Sequence, residues 1–176
     1  NYDKMKKYYL IAIDKGDIAS MLHLGVYYDG NDYKKAEYFY KMAANTKSSN
    51  SFLTNEAKLM LAILYEKQNN ISSMKHYLQM SIIEHKNKYA MLKMALYYKN
   101  KFKYNKMMTY YDMLISVGSY EIFRHVCEHY IYVENDIKKM LHYVNLASMV
   151  KYLHINIFVG NYYYAIKDYE KMKFYY

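Results

Sequence analysis

Small, apolar and aromatic residues recur along this chain with a period of about 33 residues. In each repeat an apolar residue is followed directly by a small one, and a tyrosine comes three positions later. These offsets place all three side chains on one face of an α-helix. We call this predicted helix the first helix of each repeat. The five small residues are Gly25, Ala62, Ala95, Cys127 and Gly160, and the five tyrosines are Tyr28, Tyr65, Tyr98, Tyr130 and Tyr163.

A second set of positions predicts another helix in each repeat, which we call the second helix. It is centred on Met5, Ala36, Met74, Met107, Met140 and Met172. An aromatic residue follows each of these positions by three residues, and a large residue precedes each by three. Because neither short helix could bury its apolar face alone, the pattern favours hairpins that stack into one continuous core.

The residues between these patterns predict where the helices begin and end. We expect Asp32, Asn70, Asp136 and Asp168 to cap second helices at their N-termini, and Gly16 and Gly118 to follow second helices in left-handed conformations. The polar segment Asn45 to Asn55 predicts an enlarged loop between two hairpins. The chain is therefore expected to be a single all-α repeat domain over 1–176, with about 11 helices. It would begin with a lone helix at 2–15, followed by hairpins at 18–45, 54–85, 88–117, 120–149 and 152–176.

The composition supports a helical fold and argues against an all-β fold and a membrane-spanning segment. Proline is absent and only five glycines occur, whereas an all-β fold needs many turn residues. The longest stretch without charged residues, 152–166, is too short to span a membrane. A single cysteine, Cys127, excludes an internal disulfide and favours an intracellular, cytoplasmic compartment. Because the sequence lacks an initial Met and stops inside a helical pattern, we expect a fragment of a longer array.

Two segments resemble known helical repeats. Leu24 to Tyr28, followed by Ala36 and Tyr40, is similar to a tetratricopeptide repeat, with its L-G-x-x-Y and A-x-x-x-F/Y spacing. The runs 12–25 and 35–44 resemble the Sel1-like branch of that superfamily. The resemblance implies an α-solenoid, a right-handed superhelix of antiparallel hairpins whose concave groove is lined by first helices. It also implies a scaffold or adaptor that binds a peptide or protein there.

The resemblance assigns groove positions residue by residue. The protein-binding candidates are Leu59, Ile63, Leu92, Leu96, Arg124, Glu128 and Asn161, with Leu22, Val26 and Ile157 at equivalent positions. The groove would be apolar at one end and polar at the other. Its first three units lack the Lys and Asn of a carboxylate clamp, so none is expected. The alternative is that Arg124 and Glu128, four residues apart, only pair on a solvated helix face.

Other chemistry finds less support in the sequence. His125, Cys127 and His129 could suggest a metal site, but the H-E-x-x-H pattern is absent and Cys127 belongs to the small packing positions. No phosphate-binding glycine loop or nucleophile elbow occurs. We therefore expect no enzyme activity, no cofactor and no bound metal.

The net charge of +9 raises a second functional hypothesis. Lysines gather near the predicted hairpin turns and could form a basic edge that binds acidic surfaces or nucleic acid. They are Lys4, Lys6 and Lys7, then Lys34 and Lys35, then Lys99, Lys101, Lys103 and Lys106, and last Lys138 and Lys139. Nucleic acid is the less favoured partner, because Arg124 is the only arginine and arginine is best suited to bidentate phosphate and base contacts. A spacer within a longer array is a third possibility. The sequence identifies neither the partner nor the oligomeric state.

Overall fold

A computed structural model describes residues 2–47 and 51–176. Over these residues the chain forms eleven α-helices and no β-strand, which confirms the all-α prediction. The helices are α1 (Tyr2–Asp14), α2 (Ile18–Tyr28), α3 (Tyr33–Asn45), α4 (Ser51–Lys67), α5 (Ile71–His85), α6 (Lys88–Asn100), α7 (Tyr104–Ser116), α8 (Ile122–Tyr132), α9 (Ile137–Met149), α10 (His154–Ala165) and α11 (Tyr169–Tyr175). The first helices of the repeats are thus α2, α4, α6, α8 and α10.

The chain divides into two compact units, one up to Met94 and one from Ala95 onwards, so that the division falls within α6. In the first unit each helix from α1 to α5 packs on the next, and α2 also contacts α4. In the second unit each helix from α7 to α11 packs on the next, and α8 also contacts α10. Within each unit, hairpins therefore pack through their first helices, as a helical repeat requires.

The start of α4 corrects the predicted loop between the first two hairpins. Helix α4 begins at Ser51, so residues 51–55 are helical and not part of the loop. The reason is that this polar turn is packed: Thr54 and Asn55 are buried, and the hydroxyl of Ser81 donates to Asn55 Oδ1 at 2.6 Å. A satisfied polar side chain can lie inside the fold. Residues 48–50 of the predicted loop lie outside the described residues.

The predicted N-caps are confirmed. In each, the side chain accepts a hydrogen bond from the backbone N–H three residues later, which satisfies one of the free donors at the helix start. The pairs are Asp32 with Lys35, Asn70 with Ser73, Asp136 with Lys139 and Asp168 with Lys171. Asp17 caps the first helix α2 in the same way. Helix α7 differs, because Lys103 occupies its cap position and makes no side-chain cap bond.

Left-handed residues mark the turns between elements. Gly16 and Gly118 have φ of 83° and 79°, which confirms their predicted role after second helices. Lys86 and Lys151 take positive φ at the equivalent repeat position, so this turn forms even without glycine. Inside the hairpins, the residue before the cap of a second helix also has positive φ in four repeats: Asn69, Phe102, Asn135 and Lys167.

The repeated small and aromatic positions form the core. All five small residues are buried, and each repeat stacks the tyrosine of its first helix on the aromatic residue of its second helix. The ring centroids lie 5.6 to 5.8 Å apart in every pair. The pairs are Tyr28–Phe39, Tyr65–Tyr77, Tyr98–Tyr110, Tyr130–Tyr143 and Tyr163–Tyr175. Much of the tyrosine content therefore serves packing.

Candidate protein-binding surface

The candidate residues of the first unit are half-buried apolar side chains. Leu59 and Ile63 on α4 and Leu92 on α6 are half-buried. Ile63 borders a depression of only about 10 Å³ beside Lys93 and Glu66. The ammonium group of Lys93 lies 2.7 Å from the Glu66 carboxylate, and this hydrogen bond raises the pKa of Lys93. The depression beside Ile63 is therefore too small to enclose a side chain.

The two remaining positions of the first unit differ in exposure. Val26 is 56% exposed and lies on the surface of α2. Leu22, one turn earlier, is only 7% exposed and belongs to the core. The expectation that Leu22 lines a groove is therefore wrong. Its side chain is already covered within the folded unit and leaves almost no surface for a ligand.

The second unit has a cleft between α8 and α10 with a volume of about 280 Å³. We call it the α8–α10 cleft. Its lining residues are Arg124, Tyr152, His154, Ile155, Ile157, Phe158 and Asn161. Arg124 and Asn161 were predicted as groove residues, and the structure brings them to the same cleft. Its lining combines apolar and aromatic side chains with a cation and an amide.

Arg124 is positioned by two contacts. Its Nε donates to Glu128 Oε1 at 2.9 Å, and its guanidinium carbon lies 5.7 Å from the ring centroid of Phe158 on α10. The side chain is still 64% exposed. A guanidinium has five N–H donors, and the bond through Nε leaves its terminal amino groups as donors for a ligand. The predicted pairing of Arg124 with Glu128 thus exists and orients the arginine towards α10.

Glu128 lines a second cleft on α8, which we call the α7–α8 cleft. It has a volume of about 200 Å³ and is lined by Lys99, Met107, Tyr111, His125, Glu128, His129, Tyr132 and Val133. Partial burial opposes the charge of Glu128, but hydrogen bonds from Arg124 and His125 outweigh it. The pKa of Glu128 therefore lies below its usual value, and the group is ionised at neutral pH.

The other two candidates of the second unit have different surroundings. Leu96 on α6 is 41% exposed and presents an apolar side chain. Asn161 on α10 uses its amide oxygen to accept a 2.6 Å hydrogen bond from the Tyr176 hydroxyl. This bond orients the amide, so that its NH₂ group remains a donor towards the α8–α10 cleft.

The three residues considered as metal ligands each have a different environment. His125 is exposed and approaches Glu128, whereas His129 is 6% exposed and its Nε2 lies 3.0 Å from Glu134 Oε1. Cys127 is fully buried, and burial raises the pKa of its thiol to about 12. Across residues 2–47 and 51–176, no group of three or more His, Cys, Asp or Glu side chains could hold a metal ion.

The lysines next to the helix caps are engaged within the fold. Lys35, Lys139 and Lys171 each pair with the Asp that caps the same helix, at 3.1, 3.5 and 2.9 Å. Lys139 also lies 2.9 Å from Glu134. Part of the predicted basic edge is therefore neutralised locally, although such exposed pairs stabilise the fold only slightly.

Sequence reasoning missed several residues of the α8–α10 cleft. Tyr152 and His154 lie in and just after the turn before α10, where no repeated position marks them. Phe158 directly follows the assigned position Ile157, so a wider helical face would have included it.

Comparisons with known proteins give no independent assignment. No protein-family model matches this chain, and no curated protein matches it either. None of the helices in the described part of the chain has both the length and the apolar character needed to cross a bilayer. Function is therefore inferred from the surface and its chemistry.

Proposed function

We propose that this protein is a non-catalytic scaffold of the tetratricopeptide superfamily, of Sel1-like type, which binds a peptide segment of a partner protein. The observation that carries the proposal is the pair of clefts on either side of α8. Arg124 lines one cleft and Glu128 lines the other, and a direct ion pair joins them. The α8–α10 cleft is lined by two consecutive first helices and the turn before α10, and first helices are the elements to which the resemblance assigns partner binding.

The size of the clefts favours a peptide over a metabolite. Pockets for small molecules usually enclose roughly 300 to 1,000 Å³ and cover most of the ligand. The α8–α10 and α7–α8 clefts, at about 280 and 200 Å³, are smaller and open to solvent. Each suits one side chain of a longer ligand. Two such clefts side by side fit an extended segment that places alternate side chains along α8.

The chemistry of the α8–α10 cleft indicates which side chains it would accept. Arg124 and the amide of Asn161 supply hydrogen-bond donors, and Ile157 and Phe158 supply apolar surface. This combination suits an acidic residue, or a backbone carbonyl, beside an apolar residue. Arginine held against an aromatic ring is also typical of residues that dominate binding energy at interfaces.

The α7–α8 cleft complements this arrangement. Glu128 is ionised, and Lys99 and His125 lie in the same lining, so the cleft offers both an acceptor and donors. Arg124 and Glu128 are four residues apart on α8, about 6 Å along the helix axis. Alternate residues of an extended peptide are separated by a similar distance, roughly 6.6 Å. A single extended segment could therefore engage both clefts.

The compartment is part of the same proposal. The lone cysteine is fully buried and free, which fits a reducing intracellular environment.

The test is selection of peptides from a displayed random library on the wild-type protein and on two variants. Arg124→Glu reverses the charge inside the α8–α10 cleft, and Lys138→Glu makes the same reversal on α9, outside both clefts. We expect wild-type and Lys138→Glu to enrich the same peptides, with an acidic residue next to an apolar one. Arg124→Glu should lose these peptides.

Two results would contradict the proposal. One is the absence of any enriched pattern on the wild-type protein. The other is an identical pattern on Arg124→Glu, which would place binding away from this cleft.

A further inference from the structure

The turn between α6 and α7 carries an aromatic residue that folding does not require. Phe102 is 78% exposed and has φ of 54°, a left-handed conformation in which a large side chain is disfavoured. Three other hairpins have Asn69, Asn135 and Lys167 in this conformation at the same repeat position. Asparagine tolerates this conformation best among them. Phe102 therefore adopts an unfavourable backbone conformation, although its ring is not buried in the fold.

The same turn also lacks a side-chain cap for the helix that follows it. Lys103 occupies the cap position of α7 and makes no side-chain cap bond, whereas Asp or Asn caps α3, α5, α9 and α11. A cation beside a helix N-terminus also meets the positive end of the helix dipole. The adjacent residues Phe102 and Lys103 therefore both differ from the repeat pattern, and each difference lowers the stability of the fold. Departures of this kind are typical of functional sites.

The turn is strongly and uniformly basic. Lys99, Lys101, Lys103 and Lys106 surround Phe102. No Asp or Glu occurs from residue 85 to residue 111. Unlike the cap-adjacent lysines of other hairpins, none of these four forms an ion pair with a carboxylate of the described residues. All four are exposed, and Lys106 lies over the ring of Tyr98 at 5.4 Å.

We propose that this turn, residues 99–106, docks on an anionic lipid bilayer and inserts the ring of Phe102 between the headgroups. An exposed apolar ring gains free energy on leaving water at the boundary between headgroups and acyl chains. The ammonium groups of the flanking lysines would contact lipid phosphates and carboxylates. The methylene chains of these lysines would lie beside the inserted ring. Membrane docking goes beyond peptide binding, and of the residues of this turn only Lys99 also lines the α7–α8 cleft.

A bilayer fits this turn better than single-stranded nucleic acid. Proteins that bind single strands combine a basic groove with several aromatic side chains on which successive bases stack. This turn presents one highly exposed ring, with the half-buried Tyr104 next to it at a centroid distance of 6.3 Å. It contains no arginine, the residue best suited to bidentate phosphate contacts.

The experiment measures co-sedimentation of the whole chain with two kinds of vesicle. One is phosphatidylcholine alone, and the other is phosphatidylcholine mixed with phosphatidylserine. We expect binding only to the mixed vesicles, and less of it as salt rises. Replacing Lys101 and Lys103 together by Gln should weaken binding roughly thirtyfold, since each lysine near an anionic surface contributes about fivefold.

Phe102→Asn separates membrane binding from folding. Asn occupies the same position at Asn69 and Asn135, so the variant should be at least as thermally stable as the wild type. Its affinity for mixed vesicles should fall roughly tenfold, because the inserted ring is lost. Phe52→Asn is the matched control, since Phe52 is 70% exposed on α4 and lies outside this turn. It should bind vesicles as the wild type does.

The proposal is overturned if both kinds of vesicle bind equally, or if Phe102→Asn binds mixed vesicles undiminished. It is also overturned if a single-stranded RNA oligonucleotide binds the chain while mixed vesicles do not.

Discussion

The ring of Tyr40 on α3 lies against Gly25 on α2, in the space that a β-carbon at position 25 would occupy. At the other end of the chain, a β-carbon on Gly160 would lie 3.0 Å from the Tyr176 ring. Both glycines thus face a tyrosine, Tyr40 within the second helix α3 and Tyr176 directly after the second helix α11. The five pairs at these positions are Gly25/Tyr40, Ala62/Leu78, Ala95/Tyr111, Cys127/Val144 and Gly160/Tyr176. Cys127, the largest of the small residues, is paired with the smallest partner.

The contact between Gly25 and Tyr40 makes Gly25→Ala destabilising. The added methyl overlaps the ring, and overpacking of a core costs about 1–3 kcal/mol. This exceeds the gain of about 1 kcal/mol or less from replacing glycine inside a helix. Urea unfolding should show a lower free energy of unfolding for the variant.

A second substitution tests whether the ring causes that loss. Gly25→Ala combined with Tyr40→Leu reproduces the Ala62/Leu78 combination of the next hairpin. We expect the double variant to be more stable than the sum of the two single effects predicts. Simple additivity would show that the two positions are not coupled.

The hydroxyl of Tyr40 gives an independent prediction. Tyr40 is fully buried, and no described residue pairs with its Oη. Burial, followed by the nearby charge of Asp29, raises the pKa of Tyr40. A buried hydroxyl without a partner costs about 1–3 kcal/mol. Tyr40→Phe should therefore be neutral or raise the melting temperature. A clear loss of stability would reveal a hydrogen bond to this hydroxyl.

The buried ion pair between α4 and α5 should contribute more than an exposed one. Lys58 is 5% exposed and its ammonium contacts the Glu84 carboxylate. Glu84→Gln would leave a charge in a largely dry site. Because Glu84 itself is 42% exposed, we expect a cost of about 1–2 kcal/mol rather than the larger value of a fully buried pair.

Glu66→Gln is the control for this ion-pair prediction. It breaks the more exposed pair with Lys93 and should cost less than about 1 kcal/mol. Equal costs in urea unfolding would contradict a special role for Lys58.

The buried thiol of Cys127 predicts a loss of stability at alkaline pH. Its pKa rises from 9.0 to about 12 because burial disfavours the thiolate. Below about pH 9 the thiol is protonated in both states. Above that pH the unfolded thiol ionises and the folded one does not, so the free energy of unfolding falls by up to about 1.4 kcal/mol per pH unit.

Cys127→Ala, which introduces the residue found at Ala62 and Ala95, should remove the thiol's share of this slope and leave the share of the buried tyrosines, such as Tyr40, whose pKa is also raised. Unfolding measured between about pH 9 and 10 compares the two proteins before most tyrosines ionise. Identical slopes would contradict the thiol assignment.

The repeat pattern predicted much of the fold because its signals are local. The buried small positions and the caps such as Asp32 and Asp168 follow from helical spacing and turn chemistry alone. The start of α4 was not predicted from these signals. Asn55 has the sequence character of a loop residue, and only its hydrogen bond with Ser81 explains why it is buried in a helix. Polar residues become internal only through tertiary contacts, which a single sequence does not show.

The candidate site was predictable to a similar degree. The repeat register assigned Arg124 and Asn161, and the structure places both in one cleft. Tyr152 lies in the turn before α10 and His154 is the first residue of that helix, and no register position identified either of them. The contact between Arg124 and Phe158 joins two helices and depends on how the hairpins pack.

Affinity capture on the wild-type chain at low and at high ionic strength tests the scaffold function most directly. The predicted result is a discrete set of proteins that remains bound at high salt, because apolar contacts in the clefts are screened little. These proteins should be lost from Arg124→Glu and kept by Lys138→Glu. Capture dominated by nucleic acid or acidic proteins, and abolished at high salt, would contradict the proposal and make the lysine-rich edge the working surface.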